Sequence, residues 1–342
     1  MKKILLLPDA GPQNPFQYQM IGFLEQHGYQ VAKAPRKRFF ATLSAFNKHK
    51  PDILYYDWIQ SFILGKTLFI TLLKCLCFYF EMQYITLIQK RPIVHTLHNM
   101  QNHAGLWLSI ERVMYRWFLQ KCSKIRVYAD ETKAKAASAF KLNPDKIFII
   151  QDVPYHYYYE NNASLATSRK YLQIETHKFV LLFIGMVKPY KGLEMLINIF
   201  HKIATPDGLL IIAGVSDNPD YEKKIADLVK INSRILFHNR FIDEQLLQYY
   251  FNAANVVVLP FNNIEHSGSV DLAMSFRKPI ITLKTKFMCQ QLAHQENLLF
   301  TNDEELYTIF RSIKDNNLTE VGDKNFKIID SSNYRDLLAF FR

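Results

Sequence analysis

The sequence predicts an α/β protein made of two Rossmann-like halves, each a parallel sheet with helices on both faces. Three observations predict it. Apolar runs of four to six residues, rich in Ile, Leu and Val, alternate with longer mixed segments, the signature of βαβ units. That alternation occurs twice, over residues 1–155 and again over 172–320, on either side of a polar, Tyr-rich, aperiodic stretch at 155–171. Glycine and basic residues recur just beyond strand ends, where a doubly wound sheet keeps its ligand. A length of 342 residues suits two domains, and 49% hydrophobic residues can fill two cores.

In the first half, residues 3–7 (KILLL) form the first strand. With the preceding lysines this run imitates a secretory signal, but it stops at Pro8-Asp9, short of the roughly 7–15 residues of an h-region. Asn14-Pro15 opens a helix, with Asn as N-cap and Pro in the first turn, and Gly28 ends it. Residues 29–32 and 53–56 are the next strands. Residues 62–88 then read as one long apolar helix, long enough to span a bilayer. Lys66, Lys74 and Glu81 interrupt it at a cost too high for a lipid interior, so it is expected to be partly core and partly interfacial. Residues 92–97, 124–128 and 147–150 are strands four to six, with a helix over 106–122 after the fourth.

The second half starts at the strand 179–184, followed by a loop and a helix over 193–203. Strands at 209–213, 235–237, 256–259 and 279–283 alternate with helices at 221–229, 243–252 and about 269–276. Residues 321–342 are expected to form a tail returning toward the N-terminal domain.

Charge is unevenly placed. The chain has 42 Lys+Arg against 31 Asp+Glu, a net +11; residues 1–160 hold 21 and 11 of these, residues 161–342 hold 21 and 20. A basic first half implies an anionic partner there: a phosphate-bearing ligand, a nucleic acid or an acidic membrane surface. No RRM, KH, helix-turn-helix or zinc-finger signature is present, so nucleic acid is set aside. Arg36-Lys37-Arg38, Lys48, Lys50, Lys66, Lys74 and Lys90-Arg91 flank Phe39, Phe40, Phe46 and the apolar segment 62–88. Cations beside aromatics suit an anionic membrane surface, although a solvated basic face over a buried helix has the same composition. Cys75, Cys77, Cys122 and Cys289 lack metal-site spacing and read as reduced thiols of a cytoplasmic protein.

Two segments of the second half carry phosphate chemistry. In "FIGMVKPYKGLEML" (183–196) a strand ends at Gly185, Lys188 and Lys191 follow, and Gly192 opens a helix. Glycine permits close backbone approach, and helix-end amides beside lysine favour a phosphate. In "LPFNNIEHSGSVDLAMSFRKPII" (259–281), Ser267-Gly268-Ser269 lies between a polar loop and an apolar helix, where free amides cradle an anion. Each segment also fits a plainer description, a solvated basic turn and an ordinary serine-capped helix. In the first half, "VHTLHNMQNHAG" (94–105) places His98-Asn99 at a strand end and His103 beyond it, whereas His95 sits among apolar strand residues as a core histidine. A histidine titrating near neutrality suits acid–base work. Gly11 and Asn14 mark the first loop. Asp57-Trp58 follows the third strand, where Asp57 is a candidate general base or a cap, and Asp152 ends the sixth as a weaker candidate.

Residues 179–283, with "AANVVVLPF" and "AMSFRKPII" beside the glycine–lysine loop, resemble the donor domain of GT-B glycosyltransferases, above all glycosyltransferase family 4 and related bacterial polysaccharide glycosyltransferases. The resemblance implies two Rossmann-like domains facing across a cleft and sugar transfer from a nucleoside-diphosphate donor. It implies a metal-independent hexosyltransferase with no cofactor beyond that co-substrate. Lys191 stands at the family's loop lysine. Met186 takes the place of the usual arginine, with Lys188 as its substitute. The family's paired glutamates are broken: Leu272 stands just before Ala273, and Glu265 and Asp271 are the nearby acids. The donor set implied is Gly185, Lys188, Lys191, Glu265, Ser267, Gly268, Ser269 and Asp271. Similar histidine loops in the related enzymes imply catalytic roles for His98 or His103, with Gly11, Asn14 and Asn99 on the acceptor side. The expected protein sits on the inner face of the cytoplasmic membrane, taking a UDP- or GDP-sugar and a lipid-linked saccharide in bacterial surface polysaccharide synthesis. A GT-B-fold sugar-nucleotide epimerase and a glycosyltransferase-like binding protein without catalysis are the alternatives.

Overall fold

A computed structural model of the chain describes residues 1–11, 15–34, 39–102, 105–203, 207–262 and 267–342. Asn14, His103, Glu265 and the basic run 36–38 lie outside the described residues. The chain divides into two compact units, Met1–Val153 with Asn333–Arg342, and Pro154–Ser332.

The first unit has a six-stranded sheet of β1 (Lys3–Leu7), β2 (Gln30–Lys33), β3 (Ile53–Tyr56), β4 (Ile93–Thr96), β5 (Lys124–Val127) and β6 (Ile147–Ile149). All pairs are parallel, in the order β2-β1-β3-β4-β5-β6. Strand order reverses between β1 and β3, which is where such a sheet opens its ligand crevice. The helices are α1 (Pro15–Gln26), α2 (Ala41–His49), α3 (Gln60–Ile63), α4 (Leu68–Gln83), α5 (Leu108–Lys121) and α6 (Asp130–Phe140). Side chains alternate across the sheet. Leu5, Leu7, Leu54 and Tyr56 therefore enter the core with Phe78 and Phe118 on one face, and Ile4, Leu6, Ile53 and Tyr55 pack with Met20 and Leu24 on the other.

The expected single helix over 62–88 is in fact α3, a break, α4 and a wider π turn at Tyr84–Ile88. The break has local causes. Thr67 caps α4 by accepting from the Ile70 amide at 3.3 Å, and the Gly65 amide donates to Thr71 Oγ1 at 3.0 Å. Lys74 Nζ folds back to the carbonyls of Ser61 and Leu64, each at 2.8 Å, and caps α3. α2 and α6 were not legible in advance; α2 starts without a side-chain cap and α6 is mostly Ala and Lys.

The second unit repeats the plan with β7 (Phe179–Ile184), β8 (Gly208–Ala213), β9 (Ile235–His238), β10 (Val256–Leu259), β11 (Ile280–Leu283) and β12 (Leu299–Phe300), ordered β12-β11-β10-β7-β8-β9. Order reverses between β7 and β10. The helices are α7 (Leu165–Tyr171), α8 (Leu193–Lys202), α9 (Pro219–Val229), α10 (Glu244–Ala253), α11 (Gly268–Ser275), α12 (Lys286–Gln291), α13 (Asp303–Ser312) and α14 (Leu318–Asp330). The Tyr-rich stretch is structured. Ser164 caps α7, and buried Arg169 donates to the carbonyls of Thr176 and Ala253 and to Asn255 Oδ1. Of residues 321–342, those in α14 belong to the second unit. The segment Asn333–Arg342, with α15 (Leu337–Phe340), covers the Tyr55 face of the first sheet.

Candidate functional site

The switch point of the first unit holds a closed hydrogen-bonded network around Asp57. Tyr55 and Asp57 are two residues apart, so both project from one face. The Tyr55 hydroxyl donates to Asp57 Oδ1 and stands 2.8 Å from Thr96 Oγ1. Gln17 of α1 donates from Nε2 to Asp57 Oδ2 at 2.6 Å and to Pro8 O at 3.0 Å, and its Oε1 accepts from the Ala10 amide at 2.8 Å. One glutamine thus joins the loop after β1 to the carboxylate after β3.

His98, just beyond β4, completes the network. Its Nε2 is 3.3 Å from Asp57 Oδ1 and its Nδ1 is 3.4 Å from the Tyr128 hydroxyl. Trp58 stacks on the imidazole at 4.8 Å between ring centroids and 18° between planes, and Phe16 meets it edge-on at 5.1 Å. The Asp57 side chain is 0% exposed and that of His98 is 15% exposed. With both oxygens engaged and no solvent path, Asp57 has the geometry of a group that orients His98 rather than of a base that meets substrate. Burial raises the Tyr55 and Tyr128 hydroxyls well above the usual range, so both stay protonated. Arg126 lies 4.9 Å from the Tyr128 ring and forms a buried ion pair with Asp152, which places Asp152 in the framework.

The other residues of this end divide clearly. His95 is fully buried, with Nδ1 2.8 Å from Tyr56 O and Nε2 2.8 Å from the Tyr115 hydroxyl. Desolvation holds it down at about 3, so it is a neutral core histidine. The Gly11 amide donates to Asp9 Oδ1 at 2.9 Å, its φ is +86°, and a Cβ there would meet nothing within 4 Å. That side of the loop is open. Asn99 is half-buried at the start of a loop anchored by Glu111, whose Oε2 accepts from Asn102 N at 3.0 Å and Nδ2 at 2.6 Å.

The switch point of the second unit presses the loops after β7 and β10 together. A Cβ on Gly192 would lie 1.8 Å from Pro260 O, and the Asn262 amide donates to Tyr190 O at 3.0 Å. Gly192 also has φ +70°, so both contact and conformation demand glycine. Gly185 faces the start of α11, where its missing Cβ would be 3.8 Å from Ser269 Oγ. Ser267 caps that helix, its Oγ accepting from Ser269 N at 3.2 Å. Gly268 lies against the Tyr155 hydroxyl, 2.8 Å from where a Cβ would be.

Lys191 is the electrostatic centre of this arrangement. Its Nζ stands 4.3 Å from the centroid of Phe261 and 5.3 Å from that of Tyr190, and among the described residues it has no carboxylate partner. Burial first, and then Lys188, push its ammonium down to about 8. Lys188 Nζ is 3.0 Å from Asp217 Oδ2. Asp271 is buried, with Oδ1 accepting from Gln291 Nε2 at 2.9 Å inside the unit. Among the described residues no three His, Cys, Asp or Glu side chains gather to hold a metal ion.

Sequence reasoning missed Gln17, Tyr55, Tyr128 and Phe261. Only Tyr55 carried a local signal, its two-residue spacing from Asp57; the others reach the site from elements distant in the chain.

The family described as "Glycosyl transferases group 1" matches residues 166–320. A GDP-mannose:glycolipid 4-beta-D-mannosyltransferase of Xanthomonas campestris pv. campestris is 25% identical over 261 residues, 76% of this chain and 68% of that relative. Among solved structures, Anabaena Alr3699/HepE in complex with UDP and glucose superposes with a TM-score of 0.74 at 16% identity, covering 100% of this chain and 99% of that one. The sucrose-phosphate synthase of Thermosynechococcus elongatus gives 0.76 at 17% identity, covering 99% and 97%. The resemblance read from residues 179–283 is thereby upheld, as is the GT-B fold.

Proposed function

The chain is a glycosyltransferase of the GT-B fold, and from that premise we propose that it moves a sugar from a UDP- or GDP-sugar to a lipid-linked saccharide at the inner face of the cytoplasmic membrane, in bacterial surface polysaccharide synthesis. The observation that carries the donor reading is Lys191. A half-buried ammonium held against aromatic rings, with no carboxylate partner among the described residues, is an incomplete ion pair. A donor diphosphate at the β7–β10 switch point completes it, and the amides at the start of α11 and Lys188 add to the same field. These groups stabilise the negative charge that develops on the leaving nucleoside diphosphate, a role that calls for neither metal nor cofactor.

His98 is the proposed group for the acceptor hydroxyl. Asp57 fixes the ring through Nε2 and Trp58 fixes its plane, so the proton is handled at Nδ1, where the acceptor hydroxyl takes the place of the Tyr128 hydroxyl now 3.4 Å away. The mannosyltransferase relative makes GDP-mannose the first donor to test.

The test is a thermal-shift panel of UDP, GDP, TDP and their sugars, followed by donor hydrolysis with wild type and Lys191→Ala. A ligand at about 100 times its Kd adds about 2.7 kcal/mol of stability. The expected result is one stabilising nucleotide class and loss of that shift in the variant. A protein that no nucleotide sugar stabilises or reacts with would end this reading.

A further inference from the structure

α4 has two apolar stripes on opposite sides, and the core of its unit covers only one. Thr71, Cys75, Phe78 and Met82 recur at helical spacing, are buried, and face the sheet with Tyr56 and Phe118. Phe69, Leu72, Leu76 and Phe80 repeat on the other side. Phe69, Leu76 and Phe80 are 75, 53 and 58% exposed, and Leu87 and Ile88 extend the stripe through the π turn. Isolated exposed apolar residues are ordinary; a continuous row of aromatic and leucine side chains is not.

The charge of the chain segment that carries this row bears on its occupant. Between Phe39 and Cys122 the chain has nine basic residues and four acidic ones. Three of the acids are buried, Asp57, Glu81 and Glu111, and the fourth, Asp52, is paired with Arg91 at 3.4 Å. Lys48, Lys50, Lys66, Lys90 and Arg112 of this same segment are exposed, and among the described residues none of them is in an ion pair. A protein partner would need its own acidic rim matched to a flat apolar strip; an anionic bilayer supplies both at once.

We infer that α4 lies in the plane of an anionic bilayer and inserts its Phe69–Phe80 stripe among the acyl chains, so that apolar burial rather than charge alone holds the enzyme there. This rests on the proposed membrane-side reaction and names the face and the force. Residues Leu68–Ile88 are long and apolar enough to cross a membrane. Crossing is opposed by the second stripe, because Phe78 and Met82 would leave the core and Glu81 would lose the Leu43 amide that it accepts at 2.7 Å. Lying flat leaves all of these contacts intact. Lys74 does not disturb the inserted face, since its ammonium is spent on the α3 carbonyls.

The test is flotation of the full chain with phosphatidylglycerol/phosphatidylethanolamine vesicles and with phosphatidylcholine vesicles. Runs are made at low salt and at about 1 M salt, where the screening length falls to about 3 Å. The companion protein is the triple variant Phe69→Asp, Leu76→Asp, Phe80→Asp, whose fold is checked by its melting curve and whose donor binding is measured in parallel. A separate Phe69→Trp variant reports depth through quenching of its indole fluorescence by brominated lipid. The expected results are flotation with anionic vesicles that persists at high salt, quenched indole fluorescence in the Phe69→Trp variant, and about hundredfold weaker binding in the triple variant with donor binding unchanged. Release of wild type at high salt reduces the contact to electrostatic adsorption and overturns the inference. So does a wild type that ignores vesicles and forms a dimer abolished by the triple variant, which assigns the stripe to a second copy. Loss of donor binding by wild type itself would strike the glycosyltransferase reading instead.

Discussion

The proposed pairing of Lys191 with the donor diphosphate predicts a pH dependence of binding that can be calculated. Its ammonium is at about 8 in the free protein, against an ordinary value of 10.5. At pH 7 the free protein already carries this charge in about nine molecules of ten, and at pH 9 in only about one of ten. A bound diphosphate favours the charged form and returns the lysine toward its ordinary value. Binding at pH 9 then takes up about 0.9 of a proton, against about 0.1 at pH 7. The Kd for the preferred nucleotide sugar should rise about tenfold from pH 7 to pH 9, equal to about 1.4 kcal/mol. Calorimetry in two buffers of different ionisation heat reads the proton uptake directly. Lys191→Arg keeps its charge throughout and should flatten the profile, reporting any part contributed by ionisation of the nucleotide base. Lys191→Met should bind about 10- to 100-fold more weakly at pH 7, the worth of a charge-assisted contact to phosphate, with little further change at pH 9. Equal pH slopes in wild type and Lys191→Arg would refute the assignment of the donor diphosphate to Lys191.

Other substitutions probe the two networks separately. His98→Ala should lower kcat about 100- to 10,000-fold while leaving donor-induced thermal shifts in place, because the proposed donor groups belong to the second unit. Asp57→Ala should also cost about 1–3 kcal/mol in a denaturant titration, since Gln17 and Tyr55 lose a buried acceptor. Gly192→Ala should destabilise by about 3 kcal/mol or more, with its Cβ 1.8 Å from Pro260 O, whereas Gly11→Ala should cost only about 1–2 kcal/mol for its positive φ. Glu81 is raised by burial to about 7, so the folded state holds its proton more tightly than the unfolded chain. Its contribution is therefore lost as pH rises from about 4.5 to about 7, and Glu81→Gln should match wild type below about pH 4 and exceed it near pH 8 by up to about 3 kcal/mol.

How far the sequence could be read follows from the range of the forces involved. Strands such as Lys3–Leu7, Ile53–Tyr56 and Phe179–Ile184 were visible because burial on both faces demands unbroken apolar runs. Strand-end residues such as Asp57, His98, Gly185 and Lys191 were visible because a parallel sheet places them at one edge. Helices α2 and α6 were not, since α2 starts without a side-chain cap and α6 is alanine-rich, and such helices gain stability mainly from packing. The helix expected over 62–88 broke because Thr67, Thr71 and Lys74 cap two short helices through local hydrogen bonds.

By itself, then, the sequence determined the two parallel α/β sheets, the basic first half and the candidate residues at the strand ends. Periodicity and composition act over a few residues and are written in the local order. Only the tertiary structure decided that Gln17 and Tyr55 close around Asp57, that Asp57 meets His98, and that Phe261 sits under Lys191. It also decided that one stripe of α4 is core and the opposite stripe is left uncovered. These relations depend on strand order and on which faces meet, and no local propensity encodes either.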